Sequence, residues 1–137
     1  MKISVQVDYA CRVLAEMARV HGRGELLQIE HLARAEAVPV NFLAQILCEL
    51  RDAGLVTSKR GSQGGYALAR TPDQITLFNI LTAIDGELLG FSGALEGRSS
   101  RRMKEVWTDL RATLEEKTRE ITLDSFVGKP ETEMYHI

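Results

Sequence analysis

Apolar residues recur through the first third of the chain at the three- and four-residue intervals that put side chains on one face of a helix. Val7, Ala10, Cys11, Leu14, Met17 and Ala18 form such a stripe and predict an amphipathic helix over roughly Val5 to Val20, ending at His21-Gly-Arg-Gly24. Ile29, Leu32 and Ala33 mark a short second helix. Ala37-Val-Pro-Val40 then breaks the pattern, because proline cannot extend a helix and biases its predecessor toward extended geometry. That is the connection of a helix-turn-helix. A third helix, about Val40 to Ala53, turns Leu43, Ile46, Leu47 and Leu50 inward and closes at Gly54. Asn41, Gln45 and Cys48 recur at four and three residues on its other face and form an outward stripe, the candidate reading surface.

The period then shortens. Leu55-Val56 and Tyr66-Ala-Leu-Ala69 read as two antiparallel strands joined by a glycine-rich turn, with Gly61, Gly64 and Gly65 expected to supply positive φ. Lys59 and Arg60 are expected at the tip, which is the sequence of a DNA-binding wing. A guanidinium on so slim a hairpin can enter a narrow minor groove, so Arg60 is the first candidate contact. A phosphate-cradling loop would need a helix directly after the glycines, and a strand follows instead. An ordinary surface hairpin with two solvated cations is the alternative.

Ile75 to Ile84 reads as a further helix, with Thr76 as N-cap and Asp85-Gly86 as stop. Glu87 to Ser100 lacks periodicity and reads as a loop. From about Ser100 to Glu120 a charged helix carries a narrow apolar seam of Met103, Trp107, Leu110, Leu114 and Ile121. Such a seam is assigned to a symmetric dimer interface with Trp107 as anchor, or else it folds back on its own domain. The expected fold is mainly α with a small β-hairpin wing. A winged helix-turn-helix domain covers 1–85, a loop 86–99, a dimerisation helix with a short C-terminal element 100–128, and a mobile tail 129–137.

At 137 residues and 45% hydrophobic composition the chain can bury one proper core. No run approaches the ~18 apolar residues of a membrane span, and Met1-Lys2 lead into a helical pattern without a signal-peptide core, so a cytoplasmic protein is expected. A net charge of -2 gives no overall cationic field, which suits a local basic face rather than non-specific binding to nucleic acid. The two cysteines, Cys11 and Cys48, have no metal-like spacing, and no metal site is expected. His21, His31 and His136 stand isolated, as surface histidines do. No paired histidines, nucleophile elbow or phosphate loop suggests an enzyme.

Three blocks together carry a family pattern: Asp8-Tyr9-Ala10; Phe42-Leu43 with Leu50-Arg-Asp-Ala-Gly-Leu-Val56; and Arg60-Gly-Ser-Gln-Gly-Gly-Tyr66. The chain thereby resembles the IscR/NsrR-like family of bacterial winged-helix transcription regulators along nearly its whole length. The resemblance implies a homodimer that reads a palindrome in double-stranded DNA with the third helix in the major groove and the wing in the minor groove; repression by blocking polymerase is expected rather than activation, because the chain has no spare acidic or aromatic surface for recruitment. It makes Asn41, Phe42 and Gln45 the major-groove readers and Arg60 with Gly61, beside Lys59, the minor-groove contact. The residue chemistry agrees, since Asn and Gln pair bidentately with adenine and an aromatic edge can meet a thymine methyl. Phe42 suits a core position equally well.

The chain departs from its well-known relatives in the loop. They hold an iron-sulfur cluster with three cysteines there, whereas no cysteine lies between Gly86 and Trp107, and Arg98, Ser99, Arg101, Arg102 and Lys104 occupy the region. No cofactor is therefore expected, and Asp8, a carboxylate ligand position in some relatives, becomes a helix N-terminal charge. Three signals remain open. A small anionic ligand or a protein effector could use Leu88, Leu89 and Phe91 beside the Arg98 to Lys104 cations, which otherwise are solvated or meet phosphates. Oxidation of Cys48, or its bridging to Cys11 of a neighbouring subunit, would disturb reading directly, although Glu49 and Asp52 nearby favour the thiol. The third is no signal at all. A winged-helix protein-interaction module that has lost DNA binding is the competing function.

Overall fold

Ser4 starts the first helix, α1 (Val5–Arg19), by accepting a hydrogen bond from the Val7 amide at 3.2 Å. Its hydroxyl also donates to the Asp85 carboxylate, which ties the beginning of α1 to the end of a later helix. The computed structural model describes residues 2–128. The expected mobile tail from Lys129, with His136, lies outside the described residues. Asp8 sits in the first turn of α1 and pairs with Arg12 at 2.6 Å, both half exposed, which contributes little to stability. His31 is less isolated than expected, for its Nε2 lies 3.7 Å from Glu16 Oε1.

Helix α2 (Ile29–Glu36) ends on Ala37 in the left-handed region (φ 55°, ψ 47°), and the Val38 amide returns to the Ala33 carbonyl at 2.9 Å. Pro39 then caps α3 (Val40–Asp52). The turn is tight because Val38 is buried, so its side chain pins a backbone that alanine adopts only at a cost of ~1–2 kcal/mol. Gly54 (φ +77°) releases the chain from α3 into β1 (Val56–Lys59), which pairs antiparallel with β2 (Gly65–Leu68).

Thr76 caps α4 (Leu77–Asp85), and Asn79 completes a reciprocal capping box by accepting from the Thr76 amide at 2.9 Å. The core lies among α1, α3 and α4, where Leu14, Leu43, Leu47, Leu50 and Ile80 are fully buried. Each such side chain contributes about 1.5–3 kcal/mol of burial.

Helix α5 (Ser100–Glu120) divides into two halves. Its second half folds onto α4, with Thr118 buried and Leu114 half-buried. Its first half leaves Met103, Trp107 and Leu110 37–42% exposed. Ile121 is not on the helical seam but ends the helix in an extended conformation. Its carbonyl accepts from the Leu77 amide at 2.8 Å, and Leu123 donates to the Ile75 carbonyl at the same distance. A short β-bridge between Thr76 and Thr122 therefore fastens the far end of α5 to the start of α4. Among the described residues no helix is long and apolar enough to cross a membrane.

Candidate nucleic-acid interface

Alternation of buried and exposed positions on α3 separates core from surface. Leu43, Ile46, Leu47 and Leu50 are buried, whereas Asn41, Phe42 and Gln45 are exposed and Cys48 is half-buried. The Gln45 amide donates to Glu49 Oε1 one turn later at 3.2 Å. An amide nitrogen carries two hydrogens, so this contact orients Gln45 and still leaves one donor and the carbonyl oxygen for a base edge. Phe42 is not a core residue: it is 47% exposed and meets Tyr9 of α1 edge-on, ring centroids 6.3 Å apart. The Arg12 guanidinium covers the Tyr9 ring at 5.4 Å, so Phe42 is held from the α1 side.

The wing differs from the expected hairpin in two details. Lys59 is not at the tip; it closes β1 opposite Gly65, and Arg60 opens the turn. Gly64 does not supply a positive φ, as Gly61 (+108°) and Gly65 (+148°) do. Its role is close approach, for a Cβ there would stand 2.0 Å from the Lys59 carbonyl oxygen. Gly65 has both constraints, since its Cβ would come within 2.7 Å of the Leu27 carbonyl oxygen.

Two braces hold this hairpin, and the sequence reading missed both. On one side Leu27 exchanges backbone hydrogen bonds with Tyr66 (2.9 and 2.8 Å), and the Gln28 amide donates to the Ser62 carbonyl at 3.3 Å. On the other side Arg51, at the end of α3, donates to Ser58 Oγ of β1 at 3.4 Å and approaches Cys48 Sγ at 3.7 Å. Arg51 falls three residues after Cys48, so helical spacing could have placed it on the reading face; no local pattern announces Gln28. Between the start of α2 and the wing lies an open groove of about 430 Å³, bordered by Arg51, Lys59 and Arg60. Glu30 is the one carboxylate on its border, so cations predominate there although the chain's net charge is -2.

The two thiols sit on different helices and neither is in a disulfide. Burial among apolar neighbours, with the Asp8 charge adding to it, pushes the Cys11 thiol up to about 11. A thiol so protonated is a poor nucleophile at neutral pH.

A family model described as Rrf2, iron-dependent transcriptional regulator, matches residues 3–129. The HTH-type transcriptional regulator CymR of Bacillus subtilis is 30% identical over the whole of both chains. An HTH-type transcriptional regulator of Mycobacterium tuberculosis is 33% identical over 93% of this chain and 82% of its own. Among solved structures, B. subtilis CymR superposes with a TM-score of 0.78 at 29% identity, covering 93% of this chain and 96% of that one. The structure of T. potens IscR gives 0.73 at 31%, covering 93% and 86%. The iron dependence in the family's description can be tested on the donor set. A cluster is held chiefly by several thiolates, whereas this sequence has two cysteines, on α1 and α3, and the α4–α5 loop offers none. Among the described residues no three His, Cys, Asp or Glu side chains are grouped to hold a metal ion. The residues present do not fit such a cluster.

Proposed function

This chain belongs to the Rrf2 family of DNA-binding winged-helix transcriptional regulators and is not an enzyme; on that premise we propose that it acts in the cytoplasm as a homodimeric repressor of palindromic operators. Asn41 and Gln45 read adenines in the major groove, Phe42 meets a thymine methyl, and Arg60 with Gly61 enters the flanking minor groove while Lys59 meets phosphate. The observation that carries this reading is the exposure of Asn41, Phe42 and Gln45 on α3 beside a cationic wing, to whose first strand Arg51 at the end of α3 donates at 3.4 Å. The exposed first half of α5, with Met103, Trp107 and Leu110, supports pairing of two copies through their long helices, with half-buried Leu114 at its inner margin and Ile121 beyond the helix end outside the seam. A bound dimer represses by occupying the site polymerase needs.

Selection from a random duplex library with the full chain at near-physiological salt tests it. The expected result is a two-fold palindrome whose half-sites lie about 10–10.5 base pairs apart, or a multiple of that. Affinity for the selected site should fall with a log-log salt slope near -7, for about eight neutralised phosphates. A single unrepeated half-site would remove the homodimer, and no enrichment with a flat salt response would favour a protein-binding module.

A further inference from the structure

We infer that a groove at the root of the wing binds a small peptide-like molecule, one apolar amino-acid residue held through its own N–H and C=O on Leu68. The groove, about 400 Å³, lies between β2 and the turn that joins α1 to α2. That falls within the roughly 300–1,000 Å³ of small-molecule sites. Met17, Val20, Leu26 and Leu27 border it from one side, and Tyr66 and Leu68 of the strand from the other. Met17 is buried and forms the floor.

The backbone selects the ligand. Antiparallel pairing turns alternate residues of a strand to opposite sides. Ala69 donates to the Leu55 carbonyl at 3.0 Å, so Ala67 and Ala69 face β1, whereas Tyr66 and Leu68 face the other way. There Leu27 takes up both backbone groups of Tyr66, at 2.9 and 2.8 Å. The next rung would set Glu25 opposite Leu68, and it is not made. Gly22 and Gly24, at φ +88° and +74°, turn the chain aside, and the Leu68 N–H and C=O have no hydrogen-bond partner among the described residues. The groove is this missing rung.

A single residue in amide linkage completes the rung, donating to the Leu68 carbonyl and accepting from the Leu68 amide. Residues paired across a ladder carry their side chains on one face, so the ligand's side chain lies beside that of Leu68, which packs against the core. An apolar side chain fits there, over Met17 and Val20. Leu27 blocks one end of the opening and β2 stops at Leu68, so a long extended segment gains nothing over one capped residue. Glu25 on the rim disfavours a free carboxylate. The groove shares no residue with α3, the turn of the wing or α5. Neither an operator nor a second copy joined along α5 covers it, and the site stands whether or not the chain reads a palindrome.

The probe is N-acetyl-L-leucine methylamide, added to the isotope-labelled full chain while nuclear magnetic resonance follows the backbone amides. The expected result is a saturable shift of the Leu68 amide and of the Val20 to Leu27 turn, with a dissociation constant of about 1 mM, the range for so small a ligand. The counterpart in which an ester oxygen replaces the leucine N–H should bind about tenfold more weakly. Leu68→Pro removes the donor without breaking a hydrogen bond of the protein, and should abolish the shift at Val20 to Leu27 while the spectrum stays dispersed. No saturable shift, equal binding of the ester, shifts centred on α3 or α5, or undiminished binding by Leu68→Pro would each overturn the site. Should Leu68→Pro not fold, the ester comparison in the unaltered chain decides.

Discussion

The wing and the α4–α5 loop are both glycine-rich and both irregular, yet the wing is cationic at Lys59 and Arg60 whereas the loop carries Glu87, Glu96 and Arg98, and their glycines answer to different constraints. In the wing the backbone itself demands them: Gly64 passes the Lys59 carbonyl, and Gly65 passes that of Leu27. In the loop, a Cβ on Gly93 would meet only the far end of the Phe91 side chain, one on Gly90 only the flexible end of Glu87 at 3.6 Å, and Gly97 is constrained by its positive φ (+91°) rather than by any neighbour. Hydrogen bonds brace the wing from α2 and α3, whereas Glu87–Arg111 is the loop's one ion pair to α5 among the described residues. Glycine content therefore does not measure looseness. Neighbouring backbone imposes the wing's glycines, whereas side chains that can turn away border those of the loop.

Substitutions can break this contrast. Gly64→Ala should have the largest effect, because its clash is with backbone and cannot be relieved by a rotamer. Relieving that overlap should cost about 1–3 kcal/mol and lower the melting temperature by several degrees, and operator affinity should fall with it. An unchanged melting curve would mean that the wing yields as easily as the loop. Arg60→Ala should leave melting unchanged while weakening operator binding by about 1–3 kcal/mol; equal affinity would remove the minor-groove role. Gln28→Ala removes one brace, worth about 0.5–1.5 kcal/mol, and should lower affinity by less than Arg60→Ala. A loss as large as that of Arg60→Ala would show that orientation of the wing outweighs its charge. Gly90→Ala should change melting by less than ~0.5 kcal/mol equivalent and leave DNA binding alone, since it adds only ordinary contact.

Sequence signals with short range were legible. Pro39, Gly54, Thr76 and Gly86 each act within a turn of their own position, and the helices begin and end where they stand. The alternation on α3 likewise placed Asn41 and Gln45 outside. What escaped reading acts through space. Leu27 meets Tyr66, Gln28 meets Ser62, and Arg111 meets Glu87 across stretches of chain that periodicity does not span. Gly64 shows a subtler limit: the residue type was legible and its reason was not, because a close approach and a positive φ select the same amino acid. The long helix gave its length to the sequence, but only the bridge at Thr122 shows why the seam divides in two.

That bridge makes α5 a lever arm. A helix of 21 residues is about 30 Å long, and its far end is pinned to the start of α4. A rotation of about 10° about the pin sweeps the other end through about 5 Å, more than the ~3.4 Å rise between base pairs. In a dimer joined along these helices, a tilt too small to disturb either core would carry one reading head out of register with its half-site.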